Sequence, residues 1–327
     1  MPLPPVPAVT RPRRGVRTRS LGISLIELMV SLTLGLLLMV SVVNAYVGSS
    51  RAAQVTEAQA RMHDDANAAL AVLKANIRMA GNNPERPMRA ADAARNPVYT
   101  APALTAFAIR GCDSGFANGR DAGRIDDLVC ATNPGAGALS VTYEADAFNT
   151  AGVDGAAVPL DCAGVPLAAR TAAVTTYDPL TNAPNTENVQ YYFNESRFYV
   201  ETGNDGVPRL LCRGGGTGFT PGVLAENVED FRLTYGVVSP SATSGLVAGY
   251  VTAAGIASRP EFAPYPEPER WGKVAAVGIC LLLRTAHPVV HDAASAKYVD
   301  CSGALVDAPD LRLRHAFRAT VVIRGRT

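Results

Sequence analysis

From Ile23 to Tyr46 the chain runs for 24 residues in which only Glu27 and Asn44 are strongly polar. At about 1.5 Å per residue a helix of that length spans roughly 36 Å, enough to cross a hydrocarbon core of about 30 Å. The pattern then changes without a break, because no Pro occurs between Ile23 and Asn83. Val55, Met62, Ala66, Leu70, Leu73 and Ile77 recur at three-, four- and seven-residue steps, which is one face of a helix. Arg51, Glu57, Arg61, Asp64, Asp65 and Lys74 fall largely elsewhere, and Gly81-Asn82-Asn83-Pro84 supplies a stop. The pattern predicts a helix of nearly 60 residues. Its first half is apolar all round. Its second half is amphipathic and needs a surface to pack on, most simply a sheet.

Beyond the stop, short apolar runs alternate with Gly, Pro and Asn. Strands are expected at Leu104–Arg110, Ala138–Tyr143, Val189–Phe193, Arg197–Val200, Arg209–Cys212, Val228–Val237, Lys273–Arg284 and Ala316–Ile323. Asn194-Glu195-Ser196 reads as a hairpin loop and Asn204-Asp205-Gly206 as a second turn. Pro240 to Pro268 holds five Pro and few periodic positions, which predicts a long surface loop. Successive hairpins favour an antiparallel sheet, so the fold class is α+β: a long N-terminal helix packed on an antiparallel β-sheet head.

Charge gives the helix a direction. Residues 1–22 hold five Arg, five Pro and no acid, so the N-terminus stays cytoplasmic and the chain after Tyr46 is exported. Without that segment the balance is 25 basic against 29 acidic residues, about −4, which argues against a general nucleic-acid binder. A conventional signal peptide fits poorly. Its apolar core is about 7–15 residues long and ends in a small-x-small cleavage site, to which Val43-Asn44-Ala45 is a weak match. A plain anchor leaves Gly22 and Glu27 unexplained. A carboxylate at the centre of such a helix costs about 2.5–3.5 kcal/mol and less near its end, so Glu27 calls for an offsetting partner or for snorkelling to the interface.

The run Gly22-Ile23-Ser24-Leu25-Ile26-Glu27-Leu28-Met29-Val30-Ser31-Leu32 behind a basic leader resembles the type IV prepilins. That resemblance implies cleavage by prepilin peptidase between Gly22 and Ile23, N-methylation of Ile23, and a Glu27 that sets register against a neighbour's α-amine. Ile23 replaces the commoner Phe of the family. Further blocks resemble minor pilins of the PilW type: Asn76–Gly81, Leu224–Gly236, Trp271–Val277, Leu281–Thr285 and Leu311–Arg324. The family implies a pilin-like lollipop. Residues 1–22 are the cleaved basic leader, 23–46 the transmembrane and assembly helix, 47–83 its amphipathic continuation, and 84–327 a periplasmic β-rich head with disulfides. It also implies single-pass residence in the inner membrane, then in a surface pilus. The implied partners are prepilin peptidase, the assembly platform and other minor and major pilins. Their shared work is pilus assembly, and with it twitching motility, adhesion or DNA uptake. A minor pseudopilin of type II secretion and a pilus-tip adhesin are the competing readings.

Cys112, Cys130, Cys162, Cys212, Cys280 and Cys301 all lie beyond the apolar run, on the oxidising side, which favours disulfides. Six cysteines allow fifteen pairings. Sequence neighbours give the simplest set: Cys112–Cys130, Cys162–Cys212 and Cys280–Cys301. Other candidate chemistry is thin, and neither a cofactor nor a metal is expected. His287 and His291 have helical ligand spacing, but Pro288 argues for a loop and no third ligand is evident. Gly214-Gly215-Gly216-Thr217-Gly218 lacks the Lys of a P-loop and reads as a flexible turn. Asp126-Asp127 and Glu229-Asp230 read as solvated acids rather than calcium ligands. Arg312, Arg314, Arg318, Arg324 and Arg326 read as a solvated cationic strand face, with nucleic acid or an acidic subunit as the alternative. Tyr191, Tyr192, Phe193, Phe198 and Tyr199 read as core on one face of a hairpin rather than a stacking platform. No motif assembles a nucleophile, a base and an oxyanion site, so a non-enzymatic protein is expected.

Overall fold

Leu25–Met79 form one helix, α1, of 55 residues. In this computed structural model the described residues are 22, 24–82, 107–119, 123–146, 158–178, 180–216, 221–239 and 246–323. The leader as far as Leu21, Ile23, Asn83-Pro84, Thr217-Gly218, Arg324 and Arg326 lie outside them. The chain divides into two compact units, Met1–Ala53 and Gln54–Thr327.

In the first unit, Leu25 to Val47 expose a nearly continuous apolar surface, long and apolar enough to cross a membrane. In the second unit, α1 buries Met62, Ala66, Ala69, Leu70, Leu73, Asn76 and Ile77, the face that the sequence periodicity marks. Val55 is only half-buried. The helix ends at Gly81, whose φ of 73° is the left-handed conformation that glycine adopts without strain. Gly81 N–H then donates to the Thr142 carbonyl at 2.8 Å, and Glu144 N–H donates to the Asn82 carbonyl at 2.9 Å.

Among the described residues the head holds two large antiparallel sheets and one small ladder. In one, β1 (Ile109–Cys112), β2 (Ala138–Ala145), β4 (Pro184–Thr202), β5 (Pro208–Arg213) and β6 (Gly222–Glu226) lie side by side in that order. β3 (Ala169–Tyr177) pairs with the first part of β4. The other sheet has the order β12-β9-β7-β8, from β7 (Val228–Val238), β8 (Val247–Val251), β9 (Val274–Arg284) and β12 (Arg314–Val322). β10 (Tyr298–Val299) and β11 (Leu305–Val306) make a small separate ladder. Inward residues of both sheets and the buried face of α1 share one core, with Phe198, Phe231, Tyr235, Leu281 and Leu73 fully enclosed. The fold is therefore α+β, with a long helix packed on antiparallel sheets. Gly111 shows how tight that core is, since a Cβ there would fall on the Tyr235 hydroxyl.

Four expectations need correction. Asn194-Glu195-Ser196 is not a turn: β4 runs straight through it, paired from Tyr192 to Tyr199 with β2. The polar triplet is accommodated because Asn194 donates to the Ser196 hydroxyl at 3.0 Å and Glu195 accepts from Arg197 and from Ile125 N–H. Residues 246–268 are not a plain loop. They form β8, a short helix Ala253–Ser258 and a 3-10 turn Pro260–Phe262, burying Ile256 and Phe262. The aromatic cluster is core on both faces of β4, not one, with Tyr191, Phe193, Phe198 and Tyr199 all buried. Arg314 is not solvated: it opens β12 as a buried residue, and Arg312 precedes the strand.

The expected turn at Asn204-Asp205-Gly206 joins β4 to β5, with Gly206 at φ 74°. Cys112–Cys130, Cys162–Cys212 and Cys280–Cys301 are joined as disulfides, with Cα–Cα distances of 5.3, 6.1 and 5.7 Å. They tie β1, β5 and β9 to the loops beside them, which restrains the unfolded chain.

Candidate functional site

The first turns of α1 carry the candidate processing and register residues. Gly22 lies just before the helix with open space where a side chain would stand, so the backbone there is accessible. Glu27 is in the first turn of α1, and the Ser31 hydroxyl donates to its carbonyl at 2.8 Å. Thr33 and Ser41 likewise return their hydroxyls to the carbonyls of Val30 and Leu37 at 2.9 Å. With these hydroxyls satisfied inside the helix, the Glu27 carboxylate is the charged, and so the costliest, group of the apolar surface.

In the head unit α1 is held by polar as well as apolar contacts. The buried Tyr143 hydroxyl of β2 donates to Asn76 Oδ1 at 3.1 Å, and Asn76 donates to the Val72 carbonyl at 2.9 Å. Burial is the main cause that pushes the Tyr143 phenol up to about 12, so it remains a donor at every physiological pH. On the other side, His63 of α1 meets His315 and Phe317 of β12, with ring centroids 5.6 and 4.9 Å apart.

His315 titrates below its ordinary value, first because it is partly desolvated and then because His63 and Arg318 repel its charged form. The unfolded chain therefore takes up this proton first, and the head loses stability as pH falls from above 6.5 through the folded value. Replacing His315 with Gln is expected to flatten that loss. The urea midpoints of both proteins at pH 7.5 and pH 5 check it.

A cleft of about 630 Å³ opens between α1 from Gln54 to Asp65, the β6–β7 junction and the segment after β9. Its walls mix Met62, Leu224 and Val289 with Glu57, Arg61, Glu226 and His287. Burial, then Asp64 and Glu226, raise the Asp65 carboxyl above its usual range. Among the described lining residues the one hydroxyl is that of Thr285, which donates to the His287 carbonyl at 2.8 Å and accepts from Leu313 N–H at 3.1 Å. It is bound into the backbone and not poised as a nucleophile. His287 and His291 are both exposed, and no cluster of three metal-binding side chains occurs among the described residues.

Beside the cleft is a network that sequence reasoning read as solvated charge. Arg314, its side chain 1% exposed, gives Nε and Nη2 to the Glu229 carboxylate at 2.6 and 2.9 Å. Its Nη1 reaches Asp310 Oδ1 at 2.6 Å, and Arg284 adds a bond to Glu229 at 3.1 Å. Burial works against the Arg314 charge, but the bonds to Glu229 and Asp310 outweigh it and hold its pKa above the usual value. The Gly214-Gly215-Gly216 run also has a structural use. Gly216 N–H donates to Asp161 Oδ2 at 3.0 Å, and a Cβ at Gly214 would overlap that carboxylate.

Residues 197–325 match the family model described as Type IV Pilus-assembly protein W. The match supports a type IV pilus-associated protein. It runs from the second part of β4 to the end of β12, and so takes in the whole four-stranded sheet and the Arg314–Glu229 network. No curated protein and no solved structure matches the chain. Involvement in pilus assembly, pilus-system partners and membrane association through α1 all accord with this match.

Proposed function

We propose that the protein is a non-enzymatic minor pilin that initiates or caps type IV pilus assembly. The observation that carries this reading is the joint occurrence of the pilus-assembly match over 197–325 and the apolar α1, with Glu27 in its first turn behind Gly22 and a basic leader. Cleavage after Gly22 frees a positive α-amine at Ile23. In a bundle of such helices that amine meets a neighbour's Glu27. Desolvation cancels much of the Coulombic gain, so the pair acts on stagger more than on net stability. The N-terminus is cytoplasmic, the head is periplasmic, and the head meets other minor and major pilins once α1 has entered the bundle.

Deleting the gene from its host is expected to remove most surface pili and to leave exoprotein secretion intact. Complementation with the native chain restores the pili, whereas Glu27→Ala accumulates in the membrane and restores few. Lost secretion with normal pili would instead assign the chain to a secretion machine.

A further inference from the structure

The cleft of about 630 Å³ beside α1 has the volume of a ligand site but not the enclosure of one. Small-molecule sites bury roughly 70–90% of their occupant. Here the rim stays open, because Val223 is 53% exposed and Ala286, His287 and Pro288 are exposed as well. A free small molecule would be poorly covered, whereas a side chain carried on a partner's surface brings its own cover. The charges of the cleft are also unevenly paired. Arg61 is engaged by Glu57, and Arg284 by Glu229 at 3.1 Å. Glu226 gives one oxygen to Arg209 at 2.9 Å, and Arg209 is shared with Asp205. Asp65, on the α1 wall, meets no cation among the described residues, and burial, Asp64 and Glu226 all work against its ionised form. Two carboxylates therefore line one space from separate elements, and the wall that holds Asp65 supplies it no positive charge.

We infer that this cleft docks a lysine side chain of a different pilus-system subunit, with its ammonium held by Asp65 and Glu226 and its alkyl stem laid on Met62, Leu224 and Val289. An ammonium suits the site better than a guanidinium. With one oxygen already on Arg209, Glu226 offers a single oxygen and not the pair that a planar fork takes. A compact ammonium has three donors to give to single oxygens on separate walls. Both acids disfavour an anion. A second copy of this chain is poorly equipped to be the partner, since the sequence holds only the lysines 74, 273 and 297. Lys273 lies over the Tyr265 ring and Lys297 pairs with Asp307 at 3.1 Å, which leaves Lys74, half-buried on α1. That the partner is a pilus subunit rests on the proposed function; that it brings a lysine does not.

The test treats the full chain in its native host membrane with a water-soluble carbodiimide, which joins a carboxylate to an amine in contact with it as an amide. Peptide mass mapping then locates the bridges. Lys297 and Asp307, in contact within the chain, give an internal standard. The expected result is a bridge from Asp65 or Glu226 to a lysine of another subunit, while the exposed Glu187 gives none. Glu226→Gln should lower the Asp65 bridge about two- to fivefold, the effect of one partly exposed ion pair. Asp65→Lys places the chain's own ammonium in the cleft and should abolish the partner's bridge to Glu226. Both acids are exposed, so neither change threatens the fold. The standard bridge without a cleft bridge overturns the inference. Equal bridging at Glu187, a partner bridge to Glu226 that survives Asp65→Lys, or cleft bridges confined to second copies of this chain do so too. A cleft bridge to a lysine of a protein outside the pilus system upholds the dock and counts against the functional reading alone.

Discussion

Glu229→Ala is expected to destabilise the head by about 3–5 kcal/mol, because it strands a guanidinium rather than merely deleting a bond. Arg314 is the enclosed member of the network, and without Glu229 it keeps one carboxylate partner, Asp310, beside the Arg312 carbonyl and the Tyr298 ring. Arg284 would then face Arg314 with no carboxylate between them, since both now bind Glu229. The reverse substitution, Arg314→Ala, is expected to cost less. Glu229 and Asp310 are 21% and 35% exposed and can take up water once the arginine is gone. Urea unfolding of the full chain in detergent checks both, with a shift of roughly 1 M or more for Glu229→Ala. Equal losses for the two variants would show that the site is not governed by the buried charge.

Leu73→Ala should cost about 2–5 kcal/mol, the usual range for a fully buried Leu that leaves a cavity. Leu73 is wholly enclosed on the buried face of α1, between the turns that carry Leu70 and Ile77. The neighbouring Ala71 is exposed, and Ala71→Ser should change stability by no more than about 0.5 kcal/mol. The contrast separates packing of α1 on the head from the helix propensity of its sequence. Proteolysis of the folded protein gives a second readout, since a loosened helix opens near Gly81 before the sheets do.

Most of the helix and many of the strand positions were legible because their signals are local. Met62, Ala66, Leu70, Leu73 and Ile77 announce their face by spacing alone, and Gly81 marks the end of the helix by the conformation it permits. The misreadings have a common cause, namely a partner far away in sequence. Asn194-Glu195-Ser196 carries turn residues, yet β2 and the Ile125 N–H that donates to Glu195 make a strand of it. The short helix Ala253–Ser258 is capped by Asp113, whose carboxylate accepts from Ala253 and Ala254 N–H at 2.9 Å across about 140 residues of chain. Thr252, whose hydroxyl accepts from Gly255 N–H at 3.1 Å, is the local signal for that helix, whereas the Asp113 carboxylate is far away in sequence. β3 was missed for a different reason: its Thr- and Ala-rich sequence has no alternation, and its hairpin with β4 is exposed over most of its length. Arg314 could have been suspected from the apolar residues around it, but its acids come from positions 229 and 310.

The candidate site divides the same way. Gly22, Ile23 and Glu27 are read from neighbouring residues, while the cleft and the Arg314 network exist only once the chain is folded. The central claim, that this chain enters a pilus through a processed and methylated N-terminus, rests on those neighbouring residues. Its most direct test is the mass of the N-terminal peptide from membrane-extracted protein, with and without prepilin peptidase. The account predicts a peptide that begins at Ile23, is one methyl group heavier, and is absent when the peptidase is absent. A chain that still begins at Met1 in the presence of the peptidase, or one cut after Ala45, would contradict it.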